Sequence, residues 1–332
     1  MSVGIIGLGF VGLTTAIGMA HKGQTVHCYE KNKKKSEAIQ NLNIPFYEPF
    51  LKSKLKETIN KKIFFESNII DLVNKTDVIF ICVGTPSKRN GSADLSYINN
   101  VIIKLCNIEL KTKKILCLKS TIPPGTIKKI ITNKQFKNIK SNFFLIFCPE
   151  FLREGFAWKD FINPDRIVIG VDTNHVKRKM NKLFENFDTL IHYTNIEEAE
   201  LIKYLSNTLL ATLISYSNEM SMIARSMGDL DIKKIFNLLH LDRRWMGNPA
   251  KMTSYVYPGI GFGGYCLPKD LKALINTAKN LKVDPVVLKA IDRTNSKIKK
   301  FNLSLVKKFL KSKKNKIGII GISFKEGSDD IR

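Results

Sequence analysis

One cysteine stands apart from the rest by its surroundings. Cys266 follows a loop that contains four glycines, at positions 259, 261, 263 and 264, and it precedes Asp270 by four residues. Glycines let a substrate approach the backbone closely, and a thiol on such a loop is accessible and can act as a nucleophile. The other cysteines lie in apolar runs without a C-x-x-C pair or zinc spacing, at positions 28, 82, 106, 117 and 148. We therefore predict a nucleophilic Cys266, five reduced core thiols and no metal site; a buried structural Cys266 is the alternative.

A second group of reactive side chains lies on a long predicted helix. The segment from about Asn195 to Ala224 has neither proline nor glycine, and its apolar residues recur at helical spacing. Within it, Glu200, Lys203 and Asn207 occupy positions i, i+3 and i+7, so they share one face. That face presents an acid, an ammonium and an amide to a substrate. The alternative is a solvated face with an ion pair between the glutamate and the lysine.

Two loops follow predicted strands and carry polar side chains. Residues 120–126 (STIPPGT) contain Thr121, and residues 148–155 (CPEFLREG) contain Glu150. Ligands of open α/β sheets bind at the carboxyl ends of parallel strands, so both side chains should face one crevice. Simple turns with capping roles are the alternative, which fits each loop alone better than it fits all of them together.

The N-terminal glycine motif has the spacing of a dinucleotide site. It consists of Gly7, Gly9 and Gly12, with Phe10 and Val11 between the last two. The motif lies between a predicted strand and a predicted helix, where glycines permit a tight turn and the helix N-terminus binds pyrophosphate. Glu30 ends the next strand and can bond the ribose hydroxyls, which favours NAD over NADP, although the lysines at 31 and 33–35 weaken that preference. A flavodoxin-like turn without a dinucleotide is the alternative.

The order of these motifs predicts an α/β protein in three parts. Short apolar runs, typical of parallel strands buried on both faces, occur at residues 3–6, 26–29, 78–83, 115–118, 143–147 and 166–171. We predict a doubly wound Rossmann-type domain over residues 1–194 and a helical central domain over 195–300 that begins with the long helix. Residues 317–324 (IGIIGISF) echo residues 3–10 (VGIIGLGF). They predict the first strand of a second Rossmann-like domain, within a truncated C-terminal part over residues 301–332.

Composition argues against several other classes of protein. The formal net charge is +25, but only nine of the 54 basic residues are Arg, and the lysines occur in scattered runs without interleaved aromatic residues. Arg forks and stacking rings characterise nucleic-acid sites, so we predict no nucleic-acid partner. The sequence shows no signal peptide and no apolar stretch of about 18 residues, so we predict a cytoplasmic protein without a membrane partner.

Taken together, the motifs resemble those of the UDP-glucose/GDP-mannose dehydrogenases, with the UDP-glucose branch nearest. The resemblance extends from Val3 to Arg332 and includes GLGFVG (7–12), VGTP (83–86), STIPPGT, CPEFLREG, AELIKYLSN (199–207), GFGGYCLPKD (261–270) and GISFKEGSDDIR (321–332). It implies a four-electron oxidation of UDP-glucose to UDP-glucuronate that consumes two NAD. The helix from about Asn195 to Ala224 is long for a globular domain, so we predict a homodimer that associates through it, with a spine between lobes as the alternative.

The resemblance also implies roles for individual residues. Cys266 forms a thiohemiacetal and then a thioester, Lys203 and Asn207 stabilise oxyanion character, Thr121 and Asp270 position a water, and Glu150 is the base in hydrolysis. The implied cofactor contacts are Gly7, Gly9, Phe10, Val11, Gly12, Glu30, Lys35, Thr85, Thr121 and Glu154. The implied substrate contacts are Glu150, Phe151, Leu152, Glu154, Lys203, Asn207, Arg244, Tyr257, Gly263 and Lys325.

Departures from the family pattern keep further functions open. Cys148 stands where the family usually has Asn, and Glu30 stands where it usually has Asp. The segment 243–258 is longer than in the commonest UDP-glucose enzymes and has a Ser-Tyr-Val-Tyr-Pro-Gly run like that of the GDP-mannose branch. GDP-mannose or another UDP-sugar is therefore an alternative substrate. Two functions of a different kind also stay open: a two-electron dehydrogenase, and an inactive NAD-sensing or nucleic-acid-binding paralogue.

Overall fold

The computed structural model describes residues 1–136, 138–242, 259–280, 284–310, 316–323, 327–329 and 331. The chain divides into two compact units. The first comprises Met1–Lys88 and Ala93–Lys203 with a short C-terminal stretch, and the second comprises Arg89–Ser92 and most of the chain from Tyr204 onward. The domain limits inferred from the sequence remain predictions.

The first unit is built on an eight-stranded sheet. The strands are β1 (Ser2–Ile6), β2 (Thr25–Tyr29), β3 (Ile63–Phe65), β4 (Val78–Ile81), β5 (Lys114–Leu118), β6 (Phe143–Phe147), β7 (Ile167–Gly170) and β8 (Ile191–Thr194). Their order is β3-β2-β1-β4-β5-β6-β7-β8, and only the β6–β7 pair is antiparallel. The order reverses between β1 and β4, which is the switch point of a doubly wound fold. The predicted fold class is confirmed.

Helices cover both faces of this sheet. They are α1 (Phe10–His21), α2 (Lys33–Gln40), α3 (Leu51–Thr58), α4 (Ile69–Lys75), α5 (Ser96–Cys106), α6 (Thr126–Thr132), α7 (Ile139–Asn142), α8 (Ala157–Ile162) and α9 (Asn174–Leu183). Alternate residues of a strand enter different cores: Val78 and Phe80 belong to one apolar cluster, whereas Ile79 and Ile81 belong to the other. This two-sided burial is why the strands appear as continuous apolar runs in the sequence.

The second unit is mainly helical, as predicted. The long helix α10 (Ile196–Met227) starts in the first unit and continues into the second, followed by α11 (Ile232–Leu239), α12 (Cys266–Asn280) and α13 (Val286–Phe309). The small core of the second unit contains Ala211, Phe262, Leu271 and Ile291. Within the described part of the chain, no helix has both the length and the apolarity required to cross a bilayer.

The C-terminal strand predicted over residues 317–324 differs from the structure. Residues 316–323 have no regular secondary structure and no ladder hydrogen bonds, and Ile319, Ile320 and Ile322 are exposed; residue 324 lies outside the described residues. A parallel strand requires a neighbouring strand for its backbone groups and a core for its side chains. Neither reaches this segment among the described residues, so its local pattern alone does not produce a strand.

Candidate active site

The glycine turn after β1 has the shape of a pyrophosphate site. Gly7 has a φ of +92° and donates from its backbone N–H to the Tyr29 carbonyl at 2.9 Å. A Cβ on Gly12 would lie 1.9 Å from the Gly7 carbonyl oxygen, so helix α1 packs against the turn only because Gly12 has no side chain. A Cβ on Gly9 would meet no atom within 4 Å. The backbone at Gly9, at the N-terminus of α1, is therefore open to an anionic ligand.

Glu30 lies against this turn. Its carboxylate accepts hydrogen bonds from the Leu8 amide at 3.0 Å and the Asn32 amide at 3.1 Å, and it lies 3.2 Å from the Lys35 ammonium. Burial alone would raise the pKa of Glu30, but the two amides and Lys35 outweigh it and hold the pKa below its usual value. A charged carboxylate at this position can accept from ribose hydroxyls and repels a 2′-phosphate.

The loops after β4 and β5 are bound to each other. The Thr85 hydroxyl donates to the Thr121 carbonyl at 2.9 Å, and the Ser120 hydroxyl donates to the Val83 carbonyl at 2.6 Å. The structure thus brings together Thr85 and Thr121, both of which were predicted to contact the cofactor. The loop after β5 then turns at Gly125, whose φ of +82° is left-handed, and continues into α6.

A buried ion pair joins the loop after β6 to the long helix. The Lys203 ammonium lies 2.8 Å from Oε1 of Glu150, and the Leu152 amide donates to Oε2 of Glu150 at 2.7 Å. Burial opposes the charge on Glu150, but Lys203 first, then the Leu152 amide and the buried Lys119, keep its pKa below the usual value. The Lys203 ammonium also lies 5.7 Å from the centre of the Phe151 ring. Glu150 is thus an ionised carboxylate that can accept a proton.

The polar stripe of the long helix is buried and not solvated. Glu200 is 0 % exposed, Lys203 4 % and Asn207 9 %. The alternative of an i, i+3 ion pair is wrong because Glu200 accepts hydrogen bonds from the amides of Gly125 and Ile127, while Lys203 binds Glu150. Burial raises the pKa of Glu200 to about 7, the two amides oppose that rise, and Glu197 adds to it.

Cys266 is exposed and forms the first residue of α12, whereas the other five cysteines are buried, as the sequence predicted. The loop before it is fixed by Asn295, whose side chain accepts from the Phe262 amide and donates to the Phe262 carbonyl, both at 2.9 Å. Gly261 has a φ of +103°, and a Cβ there would lie 2.5 Å from the Asn295 side chain. Position 261 therefore requires glycine for two reasons: its backbone is left-handed, and a side chain there would clash with Asn295.

Asp270 lies one helical turn after Cys266 and is nearly inaccessible to solvent. The Asn207 amide donates to one of its oxygens, and the Lys269 ammonium lies 2.5 Å from the other. Asn207 and Asp270, which the sequence predicted as site residues with different roles, are therefore in direct contact within the second unit. Lys269 was missed, although it stands beside Asp270 in the motif from which the site was inferred.

Comparison with known proteins agrees with this geometry. Residues 1–188 match the family model described as "UDP-glucose/GDP-mannose dehydrogenase family, NAD binding domain", and residues 197–297 match the central domain of the same family. A UDP-glucose 6-dehydrogenase of Rickettsia bellii is 35% identical over 100% of this chain and 76% of its own length. The chain belongs to the UDP-glucose/GDP-mannose dehydrogenase family.

Solved structures of family members have the same fold. A UDP-glucose dehydrogenase from Pyrobaculum islandicum superposes with a TM-score of 0.90 at 33% identity, covering 100% of this chain and 76% of that one. A GDP-mannose dehydrogenase from Pseudomonas aeruginosa, solved as a ternary complex, gives a TM-score of 0.70 at 31% identity over the same shares of the two chains. The chain is accordingly an NAD-binding oxidoreductase of the nucleotide-sugar dehydrogenases.

The structure describes some of the remaining predicted cofactor and substrate contacts but not all of them. Phe151, Leu152, Glu154 and Gly263 are half-buried, and the Ser328 hydroxyl donates to Glu154 at 3.3 Å. The predicted substrate contacts Arg244, Tyr257 and Lys325 lie outside the described residues. Their roles remain predictions.

One glutamate that shapes the family loop after β6 was not found from the sequence. Glu48 is buried and accepts hydrogen bonds from the amides of Gly155 and Ala157, both at 2.8 Å. These partners are 107 and 109 residues away along the chain, so no local pattern signals the contact.

Proposed function

We propose that the chain oxidises the C6 primary alcohol of UDP-glucose to the carboxylate of UDP-glucuronate through a thioester on Cys266. The reaction consumes two NAD and one water for each sugar. The observation that carries this proposal is the exposure of Cys266 at the start of α12, in a chain whose other cysteines are buried. A simple alcohol dehydrogenase requires no such thiol.

NAD supplies the hydride acceptor when it is bound. For binding, the chain offers the open backbone at Gly9, the first turn of α1 for the pyrophosphate and the Glu30 carboxylate for the ribose hydroxyls. The two loops that contain Thr85 and Thr121 border the same end of the sheet, since β4 pairs in parallel with β1 and β5 pairs in parallel with β4. These groups bind and orient the cofactor without taking part in proton transfer.

In the first oxidation the sugar hydroxyl must lose its proton as its carbon loses a hydride. The Lys203 ammonium stabilises the developing alkoxide by charge, and the Asn207 amide stabilises it by hydrogen bonding. Glu150 is ionised and bound to Lys203, so it can take up a proton near the ammonium. The product of this step is the C6 aldehyde.

In the second oxidation the Cys266 thiolate adds to the aldehyde carbon and forms a thiohemiacetal. Its position in the first turn of α12 favours the thiolate, because the N-terminal end of a helix carries partial positive charge. Loss of a second hydride gives the thioester. A water positioned by Thr121 and Asp270, with Glu150 as base, then releases the carboxylate and restores the thiol.

The chain is also proposed to form a homodimer through α10. Leu201, Leu205 and Leu209 recur every four residues on this helix and are exposed, so they form an apolar stripe. A second copy of the same stripe would cover it in an isologous interface. Light scattering that gives a monomeric mass at micromolar concentration would refute this assembly.

The test of the proposed function combines stoichiometry with a cysteine variant. The purified protein is supplied with NAD and a panel of UDP- and GDP-sugars, and NADH and uronate are measured. We expect two NADH per sugar with UDP-glucose, whereas a clear preference for GDP-mannose would move the substrate to the alternative branch. One NADH per sugar would favour a two-electron dehydrogenase.

Cys266→Ser is expected to abolish uronate formation, by a factor of about 10³ or more, while NAD binding is retained. The matched control is Cys106→Ser, which changes a buried thiol at the end of α5 and should keep wild-type turnover. If Cys266→Ser still makes uronate with two NADH per sugar, the thioester route is wrong.

A further inference from the structure

The loop after β5 is held at both ends by different elements. At its start, Ser120 and Thr121 are bound to the loop after β4. At its end, the amides of Gly125 and Ile127 donate to the two oxygens of Glu200, with Ile127 at 2.9 Å. Glu200 belongs to α10, which is 73 to 75 residues further along the chain. The end of the loop is therefore fixed to the long helix, in addition to the local hydrogen bonds that the Thr126 amide and hydroxyl donate to the Pro123 carbonyl.

A single turn of α10 binds two of the loops that carry proposed catalytic groups. Glu200 binds the loop that contains Thr121, and Lys203, three residues later, binds Glu150 in the loop after β6 at 2.8 Å. The two contacts lie within one unit of the chain. The spacing of Glu200 and Lys203 on one helix therefore sets the position of the Thr121 loop relative to the Lys203 ammonium.

We propose that Glu200 is a positioning residue, whose carboxylate fixes the Thr121 loop to the helical turn that carries Lys203. The inference rests on the proposed roles of Thr121 and Lys203. Both oxygens are needed, because two amides point at the carboxylate and one acceptor would leave a buried donor without a partner. Loss of one oxygen should let the start of α6 shift and move Thr121 away from its working position.

A role in helix capping alone would not require this arrangement. Helices are usually capped by a Ser, Thr, Asp or Asn immediately before their first turn, at little cost. Here the residue before α6 is Gly125, which has no side chain, and the cap comes from a fully buried carboxylate of a distant helix. Burying a carboxylate is costly, so the arrangement is better explained by a need to connect α6 with α10.

The test compares Glu200→Gln and Glu200→Ala with the wild type in steady-state kinetics. Glutamine has the same size but only one acceptor oxygen, so it can satisfy one of the two amides. We expect kcat to fall about 10-fold for Gln and about 100-fold for Ala, since small misplacements of reacting groups have effects of that size. The KM for NAD should stay within about twofold, because the glycine turn is untouched. Glu200→Asp, which keeps both oxygens, should recover part of the loss relative to Ala.

Two measurements separate positioning from loss of folded protein. Rates are expressed per NAD-binding site. Hydrogen exchange is followed at the amides of Gly125 and Ile127, which should exchange faster in Glu200→Gln and in Glu200→Ala than in the wild type. Glu185→Gln is the control, since Glu185 is exposed in the same unit, does not act on Glu200 and should leave kcat and the exchange unchanged. An unchanged kcat per site in Glu200→Ala would overturn the inference, as would a loss fully explained by fewer NAD-binding sites.

The exchange measurement also keeps this inference distinct from the proposed function. If the wild type oxidises no nucleotide sugar, the proposed function fails. In that case faster hydrogen exchange at Gly125 and Ile127 in Glu200→Ala would still support the anchoring of the loop by Glu200. Unchanged exchange would overturn that anchoring.

Discussion

Two buried glutamates meet at the same turn of α10: Glu200 belongs to the turn, and Glu150 is bound to its Lys203. The two carboxyl groups differ in ionisation. Glu150, after β6, faces the Lys203 ammonium, and its pKa is held below the usual value. Glu200, which binds amides at the start of α6, is also buried, but amide dipoles only partly offset desolvation and its pKa rises to about 7. The comparison shows that a full opposite charge, and not burial itself, decides whether a buried carboxylate stays ionised. Glu150 is accordingly kept ionised beside Lys203, whereas Glu200 titrates near neutral pH while it holds a loop.

The largest expected effect comes from removing the charge that distinguishes the two glutamates. Lys203→Met should lower kcat/KM by about 10³-fold, because the alkoxide loses its cation. It should also lower the free energy of unfolding by about 3 to 5 kcal/mol, because Glu150 is left as an uncompensated buried charge. Steady-state kinetics and urea denaturation measure the two effects.

A double variant checks the cause of that instability. Lys203→Met combined with Glu150→Gln should recover much of the lost free energy of unfolding and none of the activity, since the remaining buried group is neutral. A double variant that is as unstable as Lys203→Met alone would show that packing around the lysine, and not the charge on Glu150, causes the loss. The electrostatic comparison would then be wrong.

The next effect concerns the pH dependence of stability at Glu200. Its pKa is raised from 4.5 to about 7 in the folded protein, so the folded state binds the proton more tightly than the unfolded state. Between these pH values the wild type should lose free energy of unfolding relative to Glu200→Gln as the pH rises, by at most about 3 kcal/mol. Urea denaturation of both proteins from pH 4.5 to 8 measures the difference.

Glu150 should behave in the opposite direction. Its folded pKa is lowered, so its contribution to stability is present above the unfolded value of 4.5 and is lost as the pH falls through the folded pKa. Relative to Glu150→Gln, the wild type should therefore become less stable only in acid. If both differences have the same sign of slope, the two sites do not differ in the way described.

The sequence predicts the framework of this comparison better than its contacts. Six of the eight strands, the glycine turn, the long helix and the accessible Cys266 follow from local patterns of burial and glycine, whereas the short strands β3 and β8 were not predicted. The partner of Lys203 does not, because helical spacing favours Glu200 and only the packed sheet brings Glu150 within 2.8 Å. Glu200 likewise contacts α6 through the tertiary fold, since its two partner amides precede it by more than 70 residues.

The strand predicted at residues 317–324 shows the opposite error. Its local pattern matches that of β1, yet the described residues of this segment are exposed and have no ladder. Strand β1 lies between β2 and β4, which satisfy its backbone groups on both sides. Local sequence therefore indicates a strand only where neighbouring strands complete it.

The smallest expected effect separates the shape of the loop after β5 from the carboxylate that holds it. Gly125 has a φ of +82°, and a Cβ there would meet no atom within 4 Å, so Gly125→Ala introduces backbone strain without a clash. We expect a loss of about 1 to 2 kcal/mol in the free energy of unfolding. Gly84→Ala is the control, since its Cβ also meets open space and its φ is not left-handed, so stability should change little. If Gly125→Ala lowers kcat as much as Glu200→Ala does, the conformation of the turn and not the Glu200 carboxylate fixes Thr121.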